Sequence, residues 1–195
     1  MDTCAVRLYF DKAASHWDEN IRCRFDVVDT ILDCAGICKG DSVLDVGCGT
    51  GFMFPFYAFR EARHVTGIDL SPEMVRIAAA KNTDSRVSVI CGDAISYSYD
   101  RTFDRIVIYN ALPHFVDFTA LFNHLSLFLK DGGSLTVAHS MSLEELDKRH
   151  AKVMDISRRL PDADVLAKLF PSCFDMRYVI SDSEKYIVSG IKRSF

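Results

Sequence analysis

No stretch of the 195-residue sequence is long and apolar enough to cross a bilayer: the longest apolar run, Phe52–Phe59, contains Pro55 and falls far short of the roughly 20 residues that a span requires. The opening Met1-Asp2-Thr3-Cys4 lacks the basic start and apolar stretch of a secretory signal, so a cytoplasmic protein with no membrane partner is expected. An excess of positive charge is missing too. With 23 basic against 27 acidic residues and a net charge of -4, the chain has no overall basic surface for a phosphate backbone, and nucleic acid is not an expected partner. Nor is there a cysteine framework: seven cysteines form an odd set without regular spacing, which argues for reduced thiols. Cys34 and Cys38, four apart on an expected helix, would share a face, but no second pair completes a metal site and small apolar core residues are the better reading. Repeats, low-complexity tracts and domain linkers are also absent.

What is present is globular: 49% hydrophobic and 26% charged residues, enough chain for one sizeable core and too little for two ordinary domains. From about Lys12 to Ile37, residues Ile21, Phe25, Val28, Ile31, Leu32 and Ala35 recur at helical spacing, with a stop at Gly36 or Gly40. A strand, Ser42–Val46, then runs into Gly47-Cys48-Gly49-Thr50-Gly51. The pattern repeats with a helix over about Phe52–Ala62, a strand at Val65–Ile68, and a helix capped by Ser71 with Pro72 as its first residue. Further strands are expected at Val87–Ile90, Asp104–Tyr109 and Ser134–Ala138, the last after a helix over about Phe118–Leu129 and a turn at Asp131-Gly132-Gly133. Alternation at this spacing means parallel strands with crossover helices, hence an α/β sheet covered on both faces. The tail departs from it. After helical stretches at about Leu143–Arg159 and Ala163–Phe170, strands at Met176–Ile180 and Tyr186–Ile191 are close enough to pair as an antiparallel hairpin.

Ligands of open α/β sheets bind at the carboxyl ends of the strands, where the glycine turn lies. Gly47, Gly49 and Gly51 allow close backbone approach, and their spacing is not the GxGxxG that seats a dinucleotide pyrophosphate. Asp45 would repel a diphosphate but attract the ammonium of an amino-acid ligand, directly or through water. Asp69, ending the second strand, can accept from both ribose hydroxyls, and Asp93 in Gly92-Asp93-Ala94 can accept from an adenine amino group. Met74 would pack on the adenine face, with core filling an equal alternative.

Val43-Leu44-Asp45-Val46-Gly47-Cys48-Gly49-Thr50-Gly51 resembles motif I of the class I S-adenosylmethionine-dependent methyltransferases, and further motifs follow in order over almost the whole chain. Asp69 matches the ribose acid, Asp93 the adenine-side acid, Phe103–Asn110 the fourth-strand motif, and Leu129-Lys130-Asp131-Gly132-Gly133 the turn before the fifth strand. The resemblance implies a Rossmann-like, mostly parallel seven-stranded sheet in the order 3-2-1-4-5-7-6 with the seventh strand antiparallel, and S-adenosylmethionine as cofactor. Leu70, Ala94 and Asn110, adjoining these motifs, are counted with them as expected cofactor contacts. The expected organisation is one domain, with a helical cap over 1–40, a cofactor-binding core over 41–140, and helices plus hairpin over 141–195.

On the reacting side, Asn110-Ala111-Leu112-Pro113-His114-Phe115 differs from the Asn/Asp-Pro-Pro-Tyr/Phe signature of enzymes that methylate DNA bases or glutamine. A small-molecule acceptor is expected instead, its reacting atom undetermined. His114 and His139 sit at the functional rim as candidate catalytic bases; with His150 they are alternatively a three-imidazole metal site, or simply satisfied polar residues. Ser140 either orients substrate or caps the helix starting near Leu143, with Glu144 or Glu145 supporting it. Tyr9, His16 and Trp17 belong to a segment that in similar small methyltransferases folds over the cofactor. Phe52, Phe54, Phe56, Tyr57, Phe115 and Phe118 are candidates for an apolar wall or for core. The alternative function is a regulatory or assembly subunit that keeps the fold without methyl transfer; a nicotinamide oxidoreductase is disfavoured by the glycine spacing and Asp45.

Overall fold

Every residue of the strand Ser42–Val46 (β1) is buried, as a central strand covered on both faces requires. The computed structural model describes residues 1–20, 23–151, 153 and 155–194, without the side chains of residues 20 and 150. β1 pairs in parallel with His64–Asp69 (β2) on one side and Phe103–Tyr109 (β4) on the other; Val87–Cys91 (β3) extends the sheet beyond β2, and Leu129–His139 (β5) beyond β4. Tyr186–Lys192 (β7) then joins antiparallel to β5, and Phe174–Ser181 (β6) antiparallel to β7. The seven strands therefore take the order β3-β2-β1-β4-β5-β7-β6, as the resemblance implied.

Strand alternation decides what each face carries. Leu44 and Val46 join Ile68, Ile106 and Ile108 beneath the helices Phe118–Ser126 (labelled α5 below) and Ala163–Ala167 (α7). Val43 joins Val65 and Val107 beneath Phe25–Ala35 (α2) and Phe54–Phe59 (α3). Asp45 shares the parity of Val43, so its carboxyl is buried on the α3 side. The remaining helices are Thr3–Ala13 (α1), Pro72–Lys81 (α4) and Leu143–His150 (α6). Among the described residues no helix is long and apolar enough to cross a membrane.

Several expected boundaries shift, each for a local reason. The single helix expected over Lys12–Ile37 is two, α1 and α2, separated by 3-10 turns at Ala14–His16 and Asp18–Asn20; Ile21 lies outside the described residues. Gly36, at φ 69°, ends α2, so Cys38 falls beyond the helix and does not share a face with Cys34. α3 is shorter than Phe52–Ala62, because the glycine turn continues to Met53 and Pro55 occupies the first turn. α5 stops at Ser126, since Leu129 already pairs with Phe103; Lys130 to Gly133 bulge out of β5 before pairing resumes at Ser134. α6 ends near His150 rather than Arg159, and α7 at Ala167 rather than Phe170.

Residues 3–20 lie as a strap across the carboxyl end of the sheet, tied down by two aspartates. Asp11 accepts from the Ser71 hydroxyl at 2.6 Å, at the start of α4. Asp18 accepts from the Thr50 hydroxyl at 2.5 Å and from Lys81 at 2.5 Å, tying the strap to the glycine turn and to the end of α4. Replacing both aspartates by alanine is expected to speed amide hydrogen exchange in residues 3–20 about tenfold, which is about 1.4 kcal/mol of local opening free energy. Exchange in β1 and β4 should keep its rate. Unaltered exchange in the strap would mean that packing alone holds it.

Candidate functional site

The carboxyl ends of the strands and the overlying strap enclose a cleft of about 850 Å³, large enough for a nucleoside-sized ligand and a second molecule beside it. Gly47, Gly49, Asp69, Leu70, Met74, Asp93, Ala94 and Asn110 line it, as do His114 and His139; Asp45 and Gly51 do not. Tyr9, Phe10, His16 and Trp17 cover it from the strap.

The glycine turn is shaped by contact as much as by conformation. Gly47 has φ 70°, and a Cβ there would stand 2.6 Å from that of Ala111, so the first turn residue must be glycine for β4 to approach. Gly51 has φ 83°, and a Cβ there would meet the Phe54 ring at 2.7 Å; its task is to seat α3 rather than to face a ligand. Between them, the Gly49 amide donates to Asp69 Oδ2 at 2.8 Å, while Ser71 N–H donates to Oδ1 at 2.9 Å. Each Asp69 oxygen thus holds one backbone donor and retains capacity for another, which suits a vicinal pair of hydroxyls. Asp93 turns Oδ1 to the Ile95 amide at 3.0 Å. Met74 is 1% exposed and lines the cleft from α4.

Asp45 lies beneath the turn. Burial, reinforced by the charge of Asp69, pushes its carboxyl up to about 7. Its Oδ2 and the Tyr57 hydroxyl face each other without closing a hydrogen bond of good geometry, and among the described residues neither has another partner. Burial likewise raises Asp69 above the usual carboxylate range. A cation in the cleft would favour the ionised form of both acids, and in this respect the residues present fit a nucleoside with a positively charged amino-acid tail.

The far end of the cleft lies over β4 and β5. Asn110, just past β4, has φ 52° and brackets Ser140: its Oδ1 accepts the Ser140 amide at 3.1 Å and its Nδ2 donates to Ser140 Oγ at 3.2 Å. Tyr109 donates to the same Oγ at 2.9 Å. Ser140 therefore does not cap α6. That role belongs to Ser142, which accepts from the Glu145 amide at 3.2 Å. His114 stands in the turn Leu112–His114, with Nδ1 donating to the Ile156 carbonyl at 2.9 Å and Phe10 edge-on to its ring at 4.8 Å. His139 ends β5, fully buried and edge-on to Tyr186. Among the described residues no group of three His, Cys, Asp or Glu side chains could hold a metal ion; the side chain of His150 lies outside them.

Of the six candidate aromatics, Phe52 and Phe115 line the cleft, whereas Phe54, Tyr57 and Phe118 are core and Phe56 packs on Phe52 and Phe25. Their position relative to the turns decides this: only residues at the strand-to-helix junction look up from the sheet. Phe10, Asp11, Asp18 and Tyr109 were not singled out from sequence. Tyr109 was accessible to the same end-of-strand rule that picked out Asn110; the two aspartates act on partners 32 to 63 positions away and carry no local signal.

A family described as Methyltransferase domain matches residues 43–133. The erythromycin 3''-O-methyltransferase of Saccharopolyspora erythraea is 31% identical over 125 residues, which are 61% of this chain and 41% of that protein. The chain spans between 31% and 53% of the length of the first curated relatives it matches. Among solved structures, a chain of the Haloferax volcanii complex between a methyltransferase activator and a methyltransferase superposes with a TM-score of 0.84, at 19% identity and 97% and 98% coverage of the two chains. The N-methyltransferase NodS of Bradyrhizobium japonicum, in complex with S-adenosyl-L-homocysteine, gives 0.77 at 15% identity, with 97% and 99% coverage. The glycine turn and its acids lie in order on a sheet of this topology, the matched methyltransferase domain covers them, and the fold is that of the class I S-adenosylmethionine-dependent methyltransferases.

Proposed function

We propose that this chain transfers a methyl group from S-adenosylmethionine to a small-molecule acceptor held at the β4–β5 end of the cleft. The observation that carries the reading is the division of one cleft: carboxylates over β2 and β3, hydroxyl and imidazole groups over β4 and β5. When bound, the cofactor supplies a methyl activated by its sulfonium charge. Asp69 and Asp93 hold its ribose and adenine, Gly47 and Gly49 let backbone come close, and Asp45 balances its positive charge from below. From the segments flanking the core over 41–140, the strap residues Tyr9, Phe10 and Trp17 and Met141 and Leu146 beyond β5 wall the cleft and leave room for a small acceptor. By their names, one of these relatives methylates oxygen and the other nitrogen.

His114 is the better placed of the two candidate bases. Its Nδ1–H bond to the Ile156 carbonyl sets the tautomer in which Nε2 is the acceptor, and Phe10 braces the ring. His139, with no exposed surface, shapes the floor of the cleft. A metal-dependent reading gains no support from the described side chains.

Four measurements test these roles. Asp69→Ala should weaken S-adenosylhomocysteine binding by about 1 to 3 kcal/mol in calorimetry, and an unchanged affinity would remove Asp69 from the ribose. His114→Asn should slow methyl transfer about 10²-fold while cofactor affinity stays within about twofold; the opposite pattern would refute the base. A protein that binds S-adenosylmethionine yet forms no S-adenosylhomocysteine with any of a broad set of small acceptors would be the non-catalytic subunit instead. Finally, the empty site holds a proton on Asp45 below about pH 7, whereas a bound cation favours the carboxylate. Cofactor binding should therefore release a proton and tighten as pH rises toward 7, by at most about tenfold per unit, then level off. Since the unfolded chain gives up this proton near 3.8, the empty protein should lose stability from Asp45 over the same rise, from about 4 to 7. Asp45→Asn should flatten both profiles; profiles that stay steep would assign the titration to another group.

A further inference from the structure

Ser140, the first residue past β5, lines the cleft at the end away from the two adenosine-side acids. Its Oγ accepts the Tyr109 phenolic proton at 2.9 Å and an Asn110 amide proton at 3.2 Å. The amide cannot be turned the other way, because its Oδ1 is already claimed by the Ser140 backbone N–H at 3.1 Å, which leaves the NH₂ group facing Oγ. A serine hydroxyl has two lone pairs and one proton. Both lone pairs are occupied here, and among the described residues no protein group accepts the proton, so it is available only to something in the cleft. Alongside, Phe52 stacks on Tyr109 with centroids 5.7 Å apart and planes 13° apart, a flat apolar wall beside this one donor.

We infer that Ser140 is a specificity-determining donor, held in that state by Tyr109 and Asn110, and that its partner is an oxygen of the methyl acceptor: a carbonyl, carboxylate or phenolate oxygen borne on a planar body. The inference rests on the methyl-transfer reading for what the ligand is, but not for whether Ser140 binds it. A ligand that offers only donors at this point is disfavoured, since the hydroxyl has no lone pair left to receive one. Tyr109 and Asn110 act through Ser140 and are positioning residues.

Binding to protein saturated with S-adenosylhomocysteine tests this without turnover. Acetophenone and benzoate carry the oxygen; ethylbenzene offers a similar planar body without it. In titrations followed by nuclear magnetic resonance, the oxygen-bearing probes should bind at least about fivefold more tightly than ethylbenzene. Ser140→Ala should erase that preference with S-adenosylhomocysteine affinity unchanged, Ser140→Thr should restore it, and Tyr109→Phe, which keeps the ring stack but frees one lone pair, should fall between. No preference in the wild type, a preference that survives Ser140→Ala, or equal loss for all three probes would overturn the inference. If Ser140→Ala does not fold, the threonine and phenylalanine variants carry the same comparison. A preference that depends on Ser140 in a protein that makes no S-adenosylhomocysteine would uphold the donor and sink methyl transfer.

Discussion

The upper rim of the sheet depends on one carboxylate, that of Asp69. By accepting the Gly49 and Ser71 amides, it joins the turn after β1 to the start of α4. The Ser71 hydroxyl in turn donates to Asp11 and accepts from Met74 N–H, while Thr50, next to Gly49, holds Asp18. Turn, helix and strap are thus coupled through groups that would otherwise be buried without partners. An asparagine in place of Asp69 would turn an NH₂ group toward one of two N–H donors, so the charge of the acid matters less here than its being an acceptor on both sides. The same acid serves structure before it serves a ligand, which is why burial raises it without displacing it from the backbone donors.

Asp45 is the opposite case: a group whose placement makes sense only in terms of what binds. Strand parity turns it into the α3 layer beside Tyr57 and Cys48, where among the described residues nothing donates well to its second oxygen. A carboxylate in such a position costs several kcal/mol unless a proton or a nearby cation offsets it. Valine at this position would extend the apolar stripe begun by Val43 and stabilise the empty protein. The acid is useful only if a positive charge sits above the turn, and the sulfonium and ammonium groups of the proposed cofactor supply two.

Much of this was legible because it is local. The run Val43 to Gly51 specifies a buried strand and a tight turn within nine residues. Ser71-Pro72 marks a helix start, and the four residues between β6 and β7 leave only antiparallel pairing. Ser142 followed by Glu145 is also a local capping signal; choosing Ser140 as an alternative cap overlooked it. What sequence did not disclose is long-range or depends on phase. The break between α1 and α2, with 3-10 turns at Ala14–His16 and Asp18–Asn20, falls where apolar spacing continues. The sorting of Phe52 from Phe54 is a matter of one turn's geometry. How His114 and His139 stand toward the cleft is set by a carbonyl 42 residues away in one case and by burial beside Tyr186 of the neighbouring strand β7 in the other.

The two ends of the cleft differ in polarity, and that difference bears on the reaction itself. Asp69 and Asp93 place acceptors at one end, with Asp45 beneath the turn to balance a bound cation; on the proposed reading Ser140 turns a donor toward an acceptor oxygen at the other. Methyl transfer from a sulfonium to an oxygen nucleophile brings a positive and a partly negative centre together and leaves less charge than it began with. Water stabilises the separated charges of the reactants more than the transition state, so its exclusion lowers the barrier provided that fixed groups keep the reactants bound. Phe10, Trp17, Phe52 and Phe115 give the cleft its apolar lining, and Asp11 and Asp18 fasten the strap to the start of α4 and to the glycine turn, which on the proposed reading hold the cofactor. On the proposed reading, the carboxylates and Ser140 hold each reactant at the periphery, while the centre, where charge is cancelled, is walled by aromatic side chains and reached by the His114 base.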